Sequence, residues 1–226
     1  YLDDISVAYA TVGAACPRRD GLIALDAASY TCAGDTIGIA LEDYDLAGQG
    51  SKALVIQSTY PNSKFVTLFE SPAGSGRFAG SISTATAPGG SLLAVRNGDT
   101  ISVSYTAADD GHGGTNITKT ATALADGVAP VISDVTFTNL GTDTVTVTWT
   151  TDEPADSRVT YGTSVPPSST GSDAAYGPAH AVPLSALEAC QGHVYPVDSA
   201  DPSGNSSTDD NGGAYYTFTT GVTSAP

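Results

Sequence analysis

The chain has 226 residues, enough for two domains of about 100 residues each, and its 24 acidic against 8 basic side chains give a formal net charge of −16. This excess of negative charge repels nucleic acids, and no apolar run approaches the ~20 residues that span a bilayer. Only 14% of the residues are charged and methionine is absent, which argues against a fold of long amphipathic helices.

Residues 1–20 are predicted to form an extended segment. Ile5, Val7 and Tyr9 alternate with small or polar neighbours as in a strand, and a loop-like run follows them. The segment lacks the basic and apolar regions of a signal peptide, so we expect a secreted chain whose targeting signal has been removed. Such a strand either folds back onto its own domain or pairs with the open edge of another copy, and the sequence leaves both open.

Period-two alternation continues through the rest of the chain and predicts an all-β fold of two tandem sandwiches. Ile37, Ile39 and Leu41 would form one apolar strand face, and Ile101 and Val103 would contribute to another. Turn clusters rich in Gly, Pro and Asp separate such runs at the spacing typical of sandwiches.

Five segments in the first half follow one another in a specific order and spacing. They are Tyr30–Ile37, Leu41–Leu46, Val66–Ser71, Gly76–Ile82 and Asn97–Tyr105. On these segments, residues 21–123 resemble an Ig-like repeat of prokaryotic surface-layer and other exported surface proteins. The resemblance implies an Ig-like sandwich that serves as a building block of extracellular layers, fibres or large surface proteins.

A calcium site is predicted in the same half of the chain. Asp43 and Asp45 lie two residues apart at a predicted strand end, which would place both carboxylates on one side of the chain. Hard oxygen ligands at this spacing suit calcium, and Glu70, Asp109 and Asp110 would complete the shell if their loops meet at the same end. The alternative is that these acids are solvated turn residues.

The three cysteines, Cys16, Cys32 and Cys190, contain no C-x-x-C pair, which argues against a zinc ribbon and a thioredoxin-like site. In an oxidising compartment Cys16 and Cys32 would close a short loop, worth roughly 3 kcal/mol in the loop-entropy model. Cys190 would then be either a buried thiol or a partner for another chain or for one of the other two cysteines.

A domain boundary is predicted near residue 127, where Gly and Pro interrupt two strand-like regions. It separates a first domain, 21–126, from a second domain, 127–221. Residues 222–226 are typical of a linker.

The second half has its own set of characteristic segments. They are Ala129–Ser133, Val145–Ala155, Ser157–Gly162, His180–Leu187 and Tyr195–Ser206. On these segments, residues 129–221 resemble a bacterial fibronectin type III domain, with Trp149 as the expected core anchor. The resemblance implies a module that spaces, displays and binds rather than one that catalyses.

The prolines in the predicted strands and the histidines allow further predictions. Pro183 and Pro196 fall inside predicted strands, where their missing N–H groups would interrupt or bulge the pairing. His112, His180 and His193 are scattered along the chain, and the last two are predicted to be surface or strand-face residues.

No catalytic site is predicted, because the motifs of Ser hydrolases, zinc proteases, phosphate loops and dinucleotide folds are all missing. A site assembled from loop acids without such a motif stays open. Asn116 and Asn205 fit the N-glycan acceptor pattern, and O-linked sugar on the many Ser and Thr residues is an equal alternative.

We therefore expect a non-catalytic extracellular structural protein that assembles through β-strand contacts, as a filament or layer subunit or a stalk segment. Its expected partners are other copies or neighbouring surface proteins, without nucleic acid or membrane insertion. The alternative is a pair of accessory modules that hold polysaccharide or cell wall for an exported hydrolase. Two or three exposed aromatic residues on one sheet face would favour that alternative, and the sequence positions of Tyr176, Tyr215 and Tyr216 are too ambiguous to establish such a face.

Overall fold

The computed structural model describes residues 20–109 and 114–221, and these residues are nearly all β. The chain divides after Gly127 into two compact units, here called unit 1 and unit 2. The predicted all-β fold class with two tandem domains is confirmed, whereas the predicted N-terminal strand lies outside the described residues. Within the described ranges the only helix is a 3₁₀ turn, Tyr44–Leu46, and none is long and apolar enough to cross a membrane.

The described part of unit 1 has nine strands. They are β1 (Leu22–Leu25), β2 (Ser29–Thr31), β3 (Thr36–Glu42), β4 (Ser51–Ser58), β5 (Asn62–Glu70), β6 (Arg77–Ala85), β7 (Leu93–Ala94), β8 (Thr100–Asp109) and β9 (Thr115–Asp126). They pair in the order β1-β3-β6-β5-β4-β8-β9-β2, with β7 added beside β6. The β2–β9 and β6–β7 pairs are parallel, and the others are antiparallel.

The sheet of unit 1 turns a corner between β5 and β6. β5 pairs with β4 along its whole length but joins β6 only at Phe69↔Ala79 and Glu70↔Phe78. Gly80 follows at once, and a Cβ there would lie 2.8 Å from the Thr67 carbonyl oxygen, so the close approach requires glycine. Beyond this point the two strands diverge. The corner separates the layer β1-β3-β6 from the layer β5-β4-β8-β9.

The core of unit 1 lies between these layers. Ile37, Ile39, Ile101 and Val103 are fully buried, and Leu41 is 2% exposed, as the alternation predicted. Each such side chain contributes about 1.5–3 kcal/mol by leaving water, which accounts for the strict period of the strands.

Unit 2 has seven strands among its described residues. They are β10 (Ile132–Thr138), β11 (Val145–Tyr161), β12 (Ser169–Leu184), β13 (Gly192–Tyr195), β14 (Val197–Ala200), β15 (Ser206–Asp209) and β16 (Tyr216–Thr219). One sheet has the order β10-β11-β14-β15 with β12 also on β11, and β13 pairs separately with β16.

β11 and β12 form one long hairpin in which two separate stretches of β11 pair with β12. Val145–Thr150 pairs with Ala179–Leu184, whereas Ser157–Tyr161 pairs with Ser169–Asp173. The register shifts on either side of Ala155. Such irregularities bend and twist a strand pair, so a single hairpin can cover both sides of a small core.

The two prolines differ in their effect. Pro196 separates β13 from β14, so the interruption predicted there is confirmed, and its carbonyl oxygen accepts a 3.3 Å hydrogen bond from the Thr160 N–H. At Pro183 the prediction is wrong, because Pro183 pairs with Thr146 without any shift in register. β12 pairs with β11 alone, and a proline on such an edge strand can lack its N–H without breaking the ladder.

Trp149 anchors the core of unit 2, as predicted. It is 2% exposed and packs in one cluster with Val147, Val159 and Tyr195. Its indole N–H donates a 2.9 Å hydrogen bond to the Ser199 hydroxyl. The ring therefore buries its apolar surface and still satisfies its only polar atom.

Candidate functional site

The predicted calcium ligands do lie at one end of unit 1. The antiparallel pairing of the strands brings the C-terminal ends of β3, β5 and β8 to the same end of unit 1. The start of β4 lies beside the ends of β5 and β8, and the start of β6 lies beside the end of β3. Asp43 and Asp45 follow β3, while Glu70 and Asp109 end β5 and β8. Asp110 lies outside the described residues.

Asp43 and Asp45 do not lie on the same side of the chain, contrary to the prediction. The extended chain stops at Asp43, which caps the 3₁₀ turn Tyr44–Leu46, so the two-residue period no longer applies. Asp43 is 1% exposed, and Asp45 lies on the surface. The Asp43 carboxylate accepts hydrogen bonds from the Tyr105 hydroxyl at 2.6 Å and from the Asp45 N–H at 2.9 Å. Burial, then the bond to Asp43, raise the pKa of Tyr105, so this hydroxyl stays protonated and donates.

Glu70 joins two loops. Its carboxylate accepts backbone N–H groups from Gly48 at 2.9 Å, from Gly76 at 2.9 Å and from Gly50 at 3.2 Å. These bonds, with Gly48 contributing most, lower the pKa of Glu70 to about 2. Gly76 has φ +69°, and a Cβ there would lie 2.6 Å from the Asp43 carbonyl oxygen, so glycine is required.

Asp43 and Glu70 therefore accept hydrogen bonds from protein donors and fix the loops at this end. Within residues 20–109 and 114–221, no three of the predicted ligands place oxygen atoms within 4.8 Å of one another. Calcium binding at this end stays a prediction. Its test is whether chelation lowers the melting temperature of unit 1.

The other predicted site residues are placed as follows. Cys32 is buried, and burial raises the pKa of its thiol, whereas Cys190 is exposed. The two are not bonded to each other, and Cys16, the predicted partner of Cys32, lies outside the described residues, as do Ile5, Val7 and Tyr9 of the head segment. The disulfide and the assembly strand stay predictions.

The two candidate glycan acceptors have different surroundings. Asn116 is exposed near the start of β9, whereas the side-chain amide of Asn205 donates a 2.8 Å hydrogen bond to Asp201. Asn116 is therefore the more accessible acceptor. Modification of either stays a prediction.

The two histidines of unit 2 were predicted to be surface or strand-face residues; both lie on strands, but they face the interior and not the surface. His180 and His193 are each 4% exposed. The His180 ring stacks on Trp149 at 5.0 Å, and the His193 ring stacks on Phe218 at 4.9 Å. His112 lies outside the described ranges.

His180 belongs to a buried polar cluster that the sequence analysis missed. Its ring nitrogens lie 2.8 Å from the Thr151 hydroxyl and 2.8 Å from the Ser157 hydroxyl. Burial lowers the pKa of His180, although the charge of Asp156 acts in the opposite sense. A hydrogen-bonded Ser–His pair is the beginning of a nucleophilic site, but Ser157 is only 5% exposed, which leaves a substrate no access. The cluster is structural.

A broad surface of unit 1, here called the outer face, is formed by alternate residues of four strands. Its members are Ser51, Ala53, Val55, Gln57, Ser63, Phe65, Thr67, Phe69, Ser102, Ser104, Thr106, Ala108, Thr118, Thr120, Thr122 and Leu124. None of these sixteen described residues is charged. Lys52, Lys64 and Lys119 of the same strands have the opposite parity, so their charges lie off this face.

The outer face is polar at one side and apolar at the other. On β8 and β9 the Ser104 hydroxyl lies 2.9 Å from that of Thr120, in a ladder of Ser and Thr side chains. On β5, Phe65 and Phe69 project into solvent with exposures of 83% and 64%, and Val55 pairs with Phe65 from β4. Exposed aromatic side chains close together on an uncharged sheet face make this surface a candidate for binding.

Comparisons with known proteins concern the fold alone. No family model matches the chain, and no curated protein matches it. The chain is similar to the solved FN1–FN3 domains of chicken CNTN1, with 12% identity over 91% of this chain and 69% of that one and a TM-score of 0.46. It is similar to a two-domain fibronectin type III segment of chicken tenascin, with 15% identity over 91% and 100% of the two chains and a TM-score of 0.34.

A third similar structure is the tetra-tandem repeat in the extending region of a large adhesion protein. Identity is 15% over 88% of this chain and 48% of that one, with a TM-score of 0.33. This chain therefore spans about half of that segment. The predicted resemblances to bacterial modules and to surface-layer repeats stay predictions.

Proposed function

We propose that the chain is a non-catalytic building block of an extracellular or cell-surface structure and that its copies associate through the outer face. The observation that carries this proposal is the exposure of Phe65 and Phe69 on a sheet surface without charged residues. Large exposed apolar side chains cost free energy in water, and that cost is removed when a second surface covers them.

The net charge of the chain also favours association through the outer face. Two copies that each carry a net charge of −16 repel one another, and the repulsion is weakest where the surfaces that meet are uncharged. Because salt screens this repulsion, association through the outer face should strengthen as the ionic strength rises. Association through salt bridges would weaken instead.

The test is sedimentation velocity on the full chain over a range of protein and salt concentrations. We expect reversible association that salt strengthens and that Phe65→Asp/Phe69→Asp abolishes. The matched control is Val165→Asp/Tyr176→Asp, which adds the same two charges at exposed apolar sites of unit 2, where the exposures are 64% and 55%. Circular dichroism checks that every variant is folded. A wild type that stays monomeric throughout, or a control that loses association equally, overturns the proposal.

A second candidate function is the binding of polysaccharide or cell wall as an accessory module. The pair Phe65 and Phe69 favours it, because two aromatic side chains exposed on one sheet face are the feature that distinguishes this function from a purely structural one. Flat aromatic rings offer large apolar area with little conformational freedom to lose on binding.

A further inference from the structure

A groove opens on the surface of unit 1 where β5 and β6 diverge. Its volume is ≈ 320 Å³, at the lower end of the range for ligand sites. Phe65 and Thr67 of β5 form one wall, and Ser81 and Ser83 of β6 form the other. The groove therefore begins at the aromatic side of the outer face and runs across the corner of the sheet.

The floor and one end of the groove are held by the fold. Val66 and Ile82, which are 6% and 8% exposed, close the floor with apolar core atoms. Leu92 closes the end, and its loop is fixed because the Lys64 ammonium donates a 2.8 Å hydrogen bond to the Gly90 carbonyl oxygen. The groove is thus a preformed feature of the sheet corner.

The lining combines hydroxyl groups with apolar surface. Thr67, Ser81, Ser83 and Ser91 supply hydroxyls, Phe65 supplies an exposed ring, and no charged side chain among the described residues lines the groove. This chemistry fits a ligand that is itself uncharged, rich in hydroxyls and apolar on one face. A neutral sugar ring has these properties, because its C–H groups can stack on an aromatic ring while its hydroxyls exchange hydrogen bonds. The net charge of −16 disfavours an anionic saccharide.

The length of the groove argues against an added peptide strand. One end is closed by the Phe69↔Ala79 pair and the other by β7, which pairs with β6 at Thr84↔Leu93. Only Gly80–Ser83 of β6 lie between these closures, which corresponds to about 13 Å of strand. An extended strand of residues 1–12, the part of the N-terminal segment that contains Ile5, Val7 and Tyr9, would need roughly three times that length. A compact ligand fits and an extended strand does not.

We propose that this groove binds one or two units of a neutral polysaccharide, with the ring of Phe65 stacked on a sugar face and the hydroxyls of Ser81 and Thr67 bonded to its edge. The proposal deepens the second candidate function and assigns its ligand class and its site. Phe65 is shared with the outer face, whereas Ser81 and Ser83 lie off it, so variants at Ser81 test saccharide binding separately from self-association.

The test is isothermal titration calorimetry of the full chain with cellohexaose, maltohexaose, mannohexaose and chitohexaose. We expect saturable binding of at least one of them, with an affinity that falls about tenfold or more in Phe65→Ala. Ser81→Ile removes a hydroxyl and fills the groove, so it should abolish binding. The matched control is Tyr176→Ala, which removes an exposed ring of unit 2 that lies outside the groove and should leave the affinity unchanged.

The same variants separate this proposal from self-association. Leu124→Asp adds a charge to the outer face on β9, so it should weaken association and leave saccharide binding intact, whereas Ser81→Ile should do the opposite. No saturable binding of any of the four saccharides, or undiminished binding by Ser81→Ile, overturns the proposal. It is also overturned if polygalacturonate binds more tightly than the neutral saccharides, or if a synthetic peptide of residues 1–12 binds in the groove and the saccharides do not.

Discussion

The two units satisfy their buried polar groups with different chemistry. In unit 1, tyrosine hydroxyls donate to aspartates: Tyr105 to Asp43 and Tyr30 to Asp26. Burial raises the pKa of both tyrosines, with the bonded aspartate adding to the effect, so these pairs keep their protons well above neutral pH. Among its described residues, unit 2 has such a pair only at a partly buried position, Tyr216 to Asp209. In its core it places His180 between two hydroxyls, and burial lowers the pKa of this histidine.

The difference teaches that the units should respond to different stresses. A neutral buried histidine loses its stabilising effect in mildly acidic solution, where it becomes protonated. Unit 1 has no histidine among its described residues, so it lacks this source of acid sensitivity. Unit 1 depends on carboxylates that accept hydrogen bonds, and backbone N–H donors lower the pKa of one of them, Glu70, to about 2. Unit 2 should therefore be the first to weaken as the pH falls.

The sharpest way to separate the units is to remove the anchor of one of them. Trp149→Ala should destabilise unit 2 by about 3–5 kcal/mol, because it leaves a cavity in a core that contains few other large side chains. Differential scanning calorimetry should show one transition shifted far down and the transition of unit 1 unchanged. Phe65→Ala is the control, since an exposed ring contributes within about 0.5 kcal/mol. Equal shifts of both transitions would mean that the units do not unfold separately.

Removing one tyrosine hydroxyl tests the chemistry of unit 1. Tyr105→Phe keeps the ring but leaves an oxygen of buried Asp43 without its donor, which should cost about 1–3 kcal/mol in unit 1 alone. Tyr176→Phe removes a hydroxyl from a residue that is 55% exposed and should have no measurable effect. Urea unfolding monitored separately for each unit measures both variants. A neutral Tyr105→Phe would show that water replaces the hydroxyl.

Mild acid should distinguish the units without a mutation. The folded pKa of His180 is lowered, so its contribution is complete above the unfolded value of about 6.5 and is lost as the pH falls below it, by at most ~1.4 kcal/mol per pH unit. His180→Gln should flatten this slope, although it lowers stability at every pH. Thermal melts of unit 2 from neutral pH down to about pH 5 measure the slope. An unchanged slope in the variant contradicts the assignment.

The smallest expected effect concerns Glu70. Its folded pKa of about 2 lies below the ordinary 4.5, so its contribution is present above 4.5 and is lost as the pH falls from 4.5 toward 2. Solvent screens this carboxylate, so the effect should be smaller than that of His180. Glu70→Gln should reduce the acid sensitivity of unit 1 in this range and leave unit 2 unchanged. Melting curves that coincide with wild type throughout would mean that the loops hold without Glu70.

The alternation of apolar and polar residues predicted much of the fold, because every second side chain of a half-buried strand must face the core. Ile37, Ile39 and Trp149 are core residues on that evidence alone. The same signal was present for His180, which shares its parity with buried Val182 on β12 and could have been placed inside on that ground.

Other features depend on contacts that one strand does not reveal. Between Phe65 and Phe69, both faces of β5 carry large apolar side chains, so the sequence alone does not show which face is directed to the core. The pairing with β4 and the approach of Gly80 decide it. Asp43 is an acid at a strand end in the sequence, and its structural role appears only because Tyr105 reaches it from β8.

Association through the outer face is tested most directly by hydroxyl-radical footprinting across the concentration range in which the protein assembles. Phe65 and Phe69 should become protected as assembly proceeds, because a second copy covers them, while Tyr176 of unit 2 should react at a constant rate as an internal reference. Assemblies in which Phe65 and Phe69 stay fully reactive, or in which Tyr176 is protected instead, would contradict the proposal.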